Sequence, residues 1–158
     1  MIASIRQEAI ELSGVFTHKI TLTVDPQLRI NGNSNDLRSA FSNLVFNAVK
    51  YSPKGSEIKI DWYQDKSGAH FSVSDAGEGI AADHISRLTE RFYRVDPGRS
   101  RDQGGTGLGL AIVKHILVQH QAKLEIESKP GKGSTFQCDF PSESIVSEFE
   151  PEPRLVNM

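Results

Sequence analysis

The chain has 158 residues, 37% of them hydrophobic and 24% charged, with 18 basic against 20 acidic side chains and one cysteine, Cys138. That length fits one domain with a core that needs no disulfide staples, and a lone cysteine excludes an internal bridge. The near balance of charge excludes a nucleic-acid binder driven by a broad basic surface. No apolar run approaches the ~18 residues of a membrane span and the N-terminus has no signal-peptide pattern, so the chain as given reads as soluble and cytoplasmic.

Ile2, Ile5, Ala9 and Leu12 recur at helical spacing and predict a short amphipathic helix that Gly14 stops. Ile20, Leu22 and Val24 alternate with polar residues as a strand with one buried face, and after Asp25-Pro26 a second short strand is expected at Leu28 and Ile30. From about Asn35 to Ser52 the period is helical, with Leu37, Ala40, Phe41, Leu44, Val45 and Ala48 as the apolar stripe and Pro53 and Gly55 as the stop. Ile58, Ile60 and Trp62, a turn at Lys66-Ser67-Gly68, then Phe71 and Val73 read as a hairpin. A short helix near His84 to Glu90 precedes an arginine- and glycine-rich stretch from Arg91 to Gly109. Leu108 to His120 is a further predicted helix, with Ile112 and Ile116 facing the core. Two alternating strands follow, one with Leu124 and Ile126, the other with Phe136, Cys138 and Phe140, joined at Pro130-Gly131-Lys132-Gly133. Residues 142–158, rich in glutamate and proline, read as a disordered acidic tail after a domain of residues 1–141. Helices and hairpins without regular alternation predict one mixed sheet with helices on a single face.

Three places carry candidate chemistry. At ~100° per residue, Asn43, Asn47 and Lys50 share a narrow sector beside the apolar stripe, with Tyr51 at its border. Two amides and an ammonium offer oxygen to a hard cation and charge to a phosphate; a solvated helix face accounts for the same residues. Phe71, Val73 and Asp75 share one strand face, which points Asp75 inward, where a carboxylate is costly unless hydrogen bonds reach it. An adenine amino group is a fitting donor, and Gly77 and Gly79 let backbone approach a planar ring, although Asp-x-Gly also opens ordinary turns. Finally, Gly104-Gly105-Thr106-Gly107-Leu108-Gly109 leads into an apolar helix and presents free N–H groups at its start, a ready anion site. It is neither a Walker loop nor a dinucleotide fingerprint, because no Gly-Lys-Ser/Thr follows and no strand precedes. Between the last two lie Phe92 and Tyr93, able to anchor the loop by packing, and Arg94, Arg99 and Arg101, able to reach phosphate oxygens or to line an exposed basic loop.

In this order the segments resemble the nucleotide-binding boxes of sensor histidine kinases: Asn43–Pro53 the N box, Asp75–Gly79 the G1 box, Arg91–Arg94 the F box, Gly105–Gly109 the G2 box and Gly131–Phe136 the final glycine box. Ser42–Val49 and Arg87–Asp96 are most similar to the phosphate-regulon branch. The resemblance implies an α/β two-layer sandwich of the Bergerat (GHKL) type, a mixed sheet under helices, which binds ATP and Mg²⁺. It implies that Asn47 coordinates the metal with Asn43 in support, that Lys50 contacts phosphate and that Tyr51 covers adenine. Asp75 would accept the adenine amino proton, with Gly77, Gly79, Ile80 and Thr135 lining that end of the pocket. The lid, from about Asp96 to Gly105, would close with Arg94 or Arg99 near the terminal phosphates and the amides of Gly105, Thr106, Gly107 and Leu108 around them, with Phe92 and Gly109 also counted among the nucleotide-binding residues. Catalysis by Asn43, Asn47 and Lys50 would then be positioning and electrostatic stabilisation of phosphoryl transfer.

Gyrase-type hydrolases of this fold resemble the chain at the metal asparagine but carry a water-activating glutamate one turn earlier. Here that place is Asn43, an amide without useful basicity, which favours a kinase over an ATPase. None of the five histidines is followed by an acid, as the family's phosphoacceptor is. The resemblance therefore implies an excised, monomeric fragment, whose partners are its own histidine-bearing dimerisation domain and a PhoB-like response regulator. The parent would be anchored in the bacterial inner membrane by segments not included here.

Overall fold

The computed structural model describes residues 1–14, 17–90 and 109–146. Helix α1 (Ile2–Ser13) buries Ile5, Ala9 and Ser13, spaced four apart, and ends at Gly14, whose φ of 46° breaks the helix. Leu12, expected on the apolar stripe, lies off this row and is exposed. Strand β1 (Lys19–Val24) follows; only Ile20 on it is fully buried, since β1 is an edge strand and its alternation fades toward Val24.

Helix α2 (Ser34–Tyr51) starts at Asn33, whose side chain accepts the Asp36 N–H at 3.0 Å, and the sequence supplies Asp36 for the first turn and Lys50 for the last. Its stripe is buried as the period predicts, with Val49 added. Strands β2 (Glu57–Asp65) and β3 (Gly68–Asp75) form the expected hairpin. Helix α3 is short (Ala82–Ile85) and begins earlier than the helix predicted there. Helix α4 (Gly109–Gln119), strand β4 (Lys123–Ser128) and strand β5 (Ser134–Pro141) complete the order.

The sheet runs β1-β2-β3-β5-β4, with β1 and β2 parallel and every other pair antiparallel. A parallel pair needs a crossover, and α2 is that crossover, which fixes it over the sheet between α1 and α4. Register places Ile20, Ile58, Val73 and Phe136, with Ile60, Phe71 and Cys138, on the helix side. Phe41 of α2 stacks on Phe71 with ring centroids 4.1 Å apart and meets Phe140 edge-on, so the core centres where α2 crosses β3 and β5.

Three further expectations change. Leu28 and Ile30 form no strand: Ile30 makes one bridge to Ile145, and Leu28 is a buried anchor whose carbonyl accepts the Trp62 indole N–H at 3.1 Å. Ile112 is exposed, because α4 turns Val113, Ile116 and Leu117 inward instead. The residues just after Pro141 are ordered. Ser142–Ser144 form a 3₁₀ turn, and the Val146 N–H donates to the Arg29 carbonyl at 2.8 Å; the rest of the predicted tail lies outside the described residues.

Candidate functional site

Asp75 is the last residue of β3, paired with Ile58 on one side and Ser134 on the other, and its side chain shares the helix-side face with theirs. It is partly buried, and its Oδ1 accepts the Gly77 N–H at 2.8 Å. Burial raises its pKa above the ordinary carboxylate value, and backbone N–H groups of Gly77 and Ser134 pull only part of the way back. The carboxylate thus keeps acceptor capacity that the protein does not use up.

Glycines build the floor beside it. Gly79 has φ 76°, and a Cβ there would sit 2.0 Å from the Lys129 carbonyl oxygen; Gly133 has φ 82°, and its Cβ would sit 2.1 Å from the Asp75 carbonyl oxygen. Both positions therefore exclude side chains by conformation and by contact with backbone. The segment after β3 interlocks with the β4–β5 turn: the Gly131 N–H donates to the Glu78 carbonyl, and the Ile80 N–H donates to Ser128 Oγ at 2.7 Å. Ser128 Oγ in turn donates to the Gly133 carbonyl and lies 2.8 Å from Ser134 Oγ. Gly77 packs against the end of α2, where a Cβ would lie 2.9 Å from the Tyr51 carbonyl oxygen.

Along α2, Asn43 donates from Nδ2 to the Ser39 carbonyl at 2.8 Å, so its Oδ1 points outward, toward the start of α4. A Cβ on Gly109 would meet that oxygen at 3.1 Å. The amide of Asn47 is half-buried and has no hydrogen-bond partner among the described residues. Lys50 and Tyr51 are exposed. One helix thus presents amide oxygens beside an α4 N-terminus and an ammonium and a ring nearer Asp75. That donor set fits a hard cation bound through one amide oxygen, with phosphate oxygens and water completing its shell.

The structure brings together Asn43 and Gly109 at one end, and Tyr51, Asp75, Gly77, Gly79 and Ile80 at the other. It does not bring in Thr135. That residue pairs with Ser74, their hydroxyls 3.0 Å apart on the sheet face away from the helices, and Ser134 shares the face of Asp75 instead. The alternation of Phe136, Cys138 and Phe140 already carries this signal, since inward Phe136 makes Thr135 outward and Ser134 inward. No local pattern in the sequence marks Ser128. Phe92, Arg94, Arg99, Gly105, Thr106, Gly107 and Leu108 lie outside the described residues. Two histidines are buried: His18, and His70, which lies between Asp139 at 2.5 Å and Asp65 at 2.8 Å on the outer sheet face.

Residues 32–144 match the family described as "Histidine kinase-, DNA gyrase B-, and HSP90-like ATPase". The chain belongs to that family. Within it, the chain is 53% identical over 154 residues to the phosphate regulon sensor protein PhoR of Pseudomonas aeruginosa, covering 98% of this chain and 35% of that protein. It is 45% identical over 152 residues to PhoR of Haemophilus influenzae, covering 96% of this chain and 36% of that one. The chain thus spans about a third of the length of these relatives. Among solved structures, the mycobacterial sensor histidine kinase MprB superposes with a TM-score of 0.73 at 28% identity, covering 89% of this chain and 93% of that one. Full-length ShkA in complex with AMPPNP superposes at 0.74 with 26% identity, over 89% of this chain and 30% of that one. The five-stranded mixed sheet with its helices on one face is the fold of these kinase catalytic domains.

Proposed function

We propose that this chain binds ATP with Mg²⁺ and donates the γ-phosphate to a histidine on a separate dimerisation domain of the same sensor kinase, from which a PhoB-like response regulator receives it in phosphate-starvation signalling. The observation that carries the reading is Asp75: a carboxylate drawn partly out of water, with spare acceptor capacity, above a floor from which Gly79 and Gly133 exclude side chains. A planar purine bearing an exocyclic amino group complements such a place.

Asp75 accepts the adenine amino proton, and Gly77, Gly79 and Ile80 shape the wall around the ring, with Ser134 in the place first given to Thr135. Tyr51 covers the ring from the end of α2. Asn47 supplies the amide oxygen that holds Mg²⁺, Asn43 backs it, and Lys50 contacts phosphate. When bound, the metal ion neutralises charge on the phosphates. Phe92, Arg94 and Arg99 and the glycine run from Gly105 to Gly109 close the phosphate end. Asn43 stands where the hydrolases of this fold carry a base, and its outward amide oxygen has no useful basicity, so water is poorly activated and the phosphoryl group passes to an imidazole nitrogen.

The two PhoR relatives support the phosphate-regulon assignment, and the AMPPNP complex of ShkA supports nucleotide binding in this fold. Among the described residues no helix is long and apolar enough to cross a membrane. The reading places this domain in the cytoplasm, as a monomer when isolated, with the parent anchored in the inner membrane. The test is to mix the chain with the histidine-bearing domain of a phosphate-regulon sensor and γ-labelled ATP. Label should appear on that domain only when Mg²⁺ and this chain are both present; its absence, where an intact kinase labels itself, refutes the reading.

A further inference from the structure

The last turn of α2 is held from two sides at once. On one side the Tyr51 carbonyl packs on Gly77, the residue whose N–H donates to Asp75. On the other, His18 reaches the next carbonyl along, Ser52 O, at 3.2 Å from its Nε2. A carbonyl only accepts, so Nε2 carries the proton, and in the neutral ring Nδ1 accepts from Ser13 Oγ at 2.8 Å. The Ser13 oxygen closes the loop by accepting the His18 backbone N–H at 3.0 Å. Ser13 is the last residue of α1, and both it and His18 are buried, 3% and 9% exposed. The hydroxyl of Ser52 is, among the described residues, the buried side-chain polar atom left with no partner. The junction thus retains an unfavourable feature where a purely structural joint would gain by removing it.

We propose that His18 is a positioning residue for the purine end of the nucleotide site. By donating to the Ser52 carbonyl it fixes the backbone of the final turn of α2, where the Tyr51 carbonyl packs on Gly77, and hence how closely Gly77 and Asp75 approach, and it ties that geometry to the C-terminal turn of α1. Its bonds go to Ser13 and to the Ser52 carbonyl, one residue beyond the carbonyl that packs on Gly77, so its effect is read most directly in purine discrimination. This inference rests on the nucleotide-binding reading above.

The experiment uses the full 158-residue chain and two substitutions that divide the histidine's bonds. His18→Gln keeps an amide N–H near the position of Nε2, facing Ser52, and gives up Ser13; His18→Asn keeps a polar group near Nδ1, facing Ser13, and gives up Ser52. Calorimetric titration compares ADP with inosine diphosphate, which lacks the amino group that Asp75 accepts, and thermal unfolding records stability. His18→Asn should weaken ADP about three- to tenfold, the range set by one hydrogen bond, while leaving inosine diphosphate within about twofold of wild type, so the preference for adenine shrinks. His18→Gln should retain most of the preference. Both variants should lose similar thermal stability, the response a merely structural histidine would also give. The proposal is overturned if either variant weakens both nucleotides equally, or if both bind as wild type does. If wild type itself shows no preference for ADP, the adenine assignment of Asp75 fails first and this inference goes with it.

Discussion

Asp75→Asn separates nucleotide recognition from folding, because the two should move in opposite directions. The carboxylate has two oxygens with several acceptor positions; the N–H groups of Gly77, at 2.8 Å, and Ser134 take part of that capacity, leaving the rest for an adenine amino group. Asparagine has one oxygen for those donors, and whichever way its amide is turned an N–H faces an N–H. The loss is that of a hydrogen bond to a charged group, about 1.5–3 kcal/mol, or roughly 10- to 150-fold in Kd. Without nucleotide the sign reverses. Burial raises the Asp75 pKa, so its ionised form costs folding stability at neutral pH, a cost that fades as pH falls through the folded pKa. The neutral amide removes that cost, and Tm at pH 7 should hold or rise. Nucleotide, by donating to the ionised carboxylate, should bind wild type more tightly as pH rises above the ordinary carboxylate value of about 4, a trend the variant should lack. Calorimetric titration with ADP from pH 4.5 to 7.5, beside thermal unfolding at pH 7, reads both. Equal affinity in the two proteins, or a drop in Tm proportional to the drop in affinity, would refute the reasoning.

Asn47→Asp should tighten Mg²⁺-dependent binding while reducing phosphoryl transfer at least tenfold, since added charge holds the metal at the expense of the phosphates; titrations with and without EDTA measure the first and labelled transfer the second. Gly133→Ala should cost about 1–3 kcal/mol from its left-handed conformation and more from its Cβ at 2.1 Å from the Asp75 carbonyl oxygen, so urea unfolding and ADP affinity should worsen together. Burial lowers the pKa of His70, but the hydrogen bonds and charges of Asp65 and Asp139 outweigh it and the net shift is upward. Its contribution to stability is therefore full below the unfolded value of about 6.5 and is lost as pH rises through the folded value. Tm should fall across that range in wild type and stay flatter in His70→Gln.

What was legible in the sequence was whatever a single element announces about itself. The α2 stripe from Leu37 to Ala48 has one clear phase, and the hairpin of Ile58–Trp62 with Phe71–Val73 alternates cleanly, so both took their places and carried Asp75 and Asn43 with them. α4 is apolar on more than one face, so its sequence leaves the exact orientation open, and packing against α2 selects Val113, Ile116 and Leu117 over Ile112. Leu28 and Ile30 looked like a strand because alternation was present, but the pairing available was one bridge to Ile145, more than a hundred residues away. His18 and Ser128 take their importance from backbone groups distant in sequence, Ser52 O and Ile80 N, and no local pattern announces such partners. Thr135 is different: the inward Phe136 beside it implies its outward direction, against the role that the family resemblance gives it.

The contact between Asn43 and Gly109 limits how this domain can evolve. A glutamate introduced at position 43, the single change that would imitate a hydrolase, would set its carboxylate beside the amino end of an eleven-residue helix. The partial positive charge there stabilises an anion and so weakens it as a proton acceptor. A glutamate there would thus be a poorer base than its chemistry alone suggests, and imitating a hydrolase should take more than that one substitution.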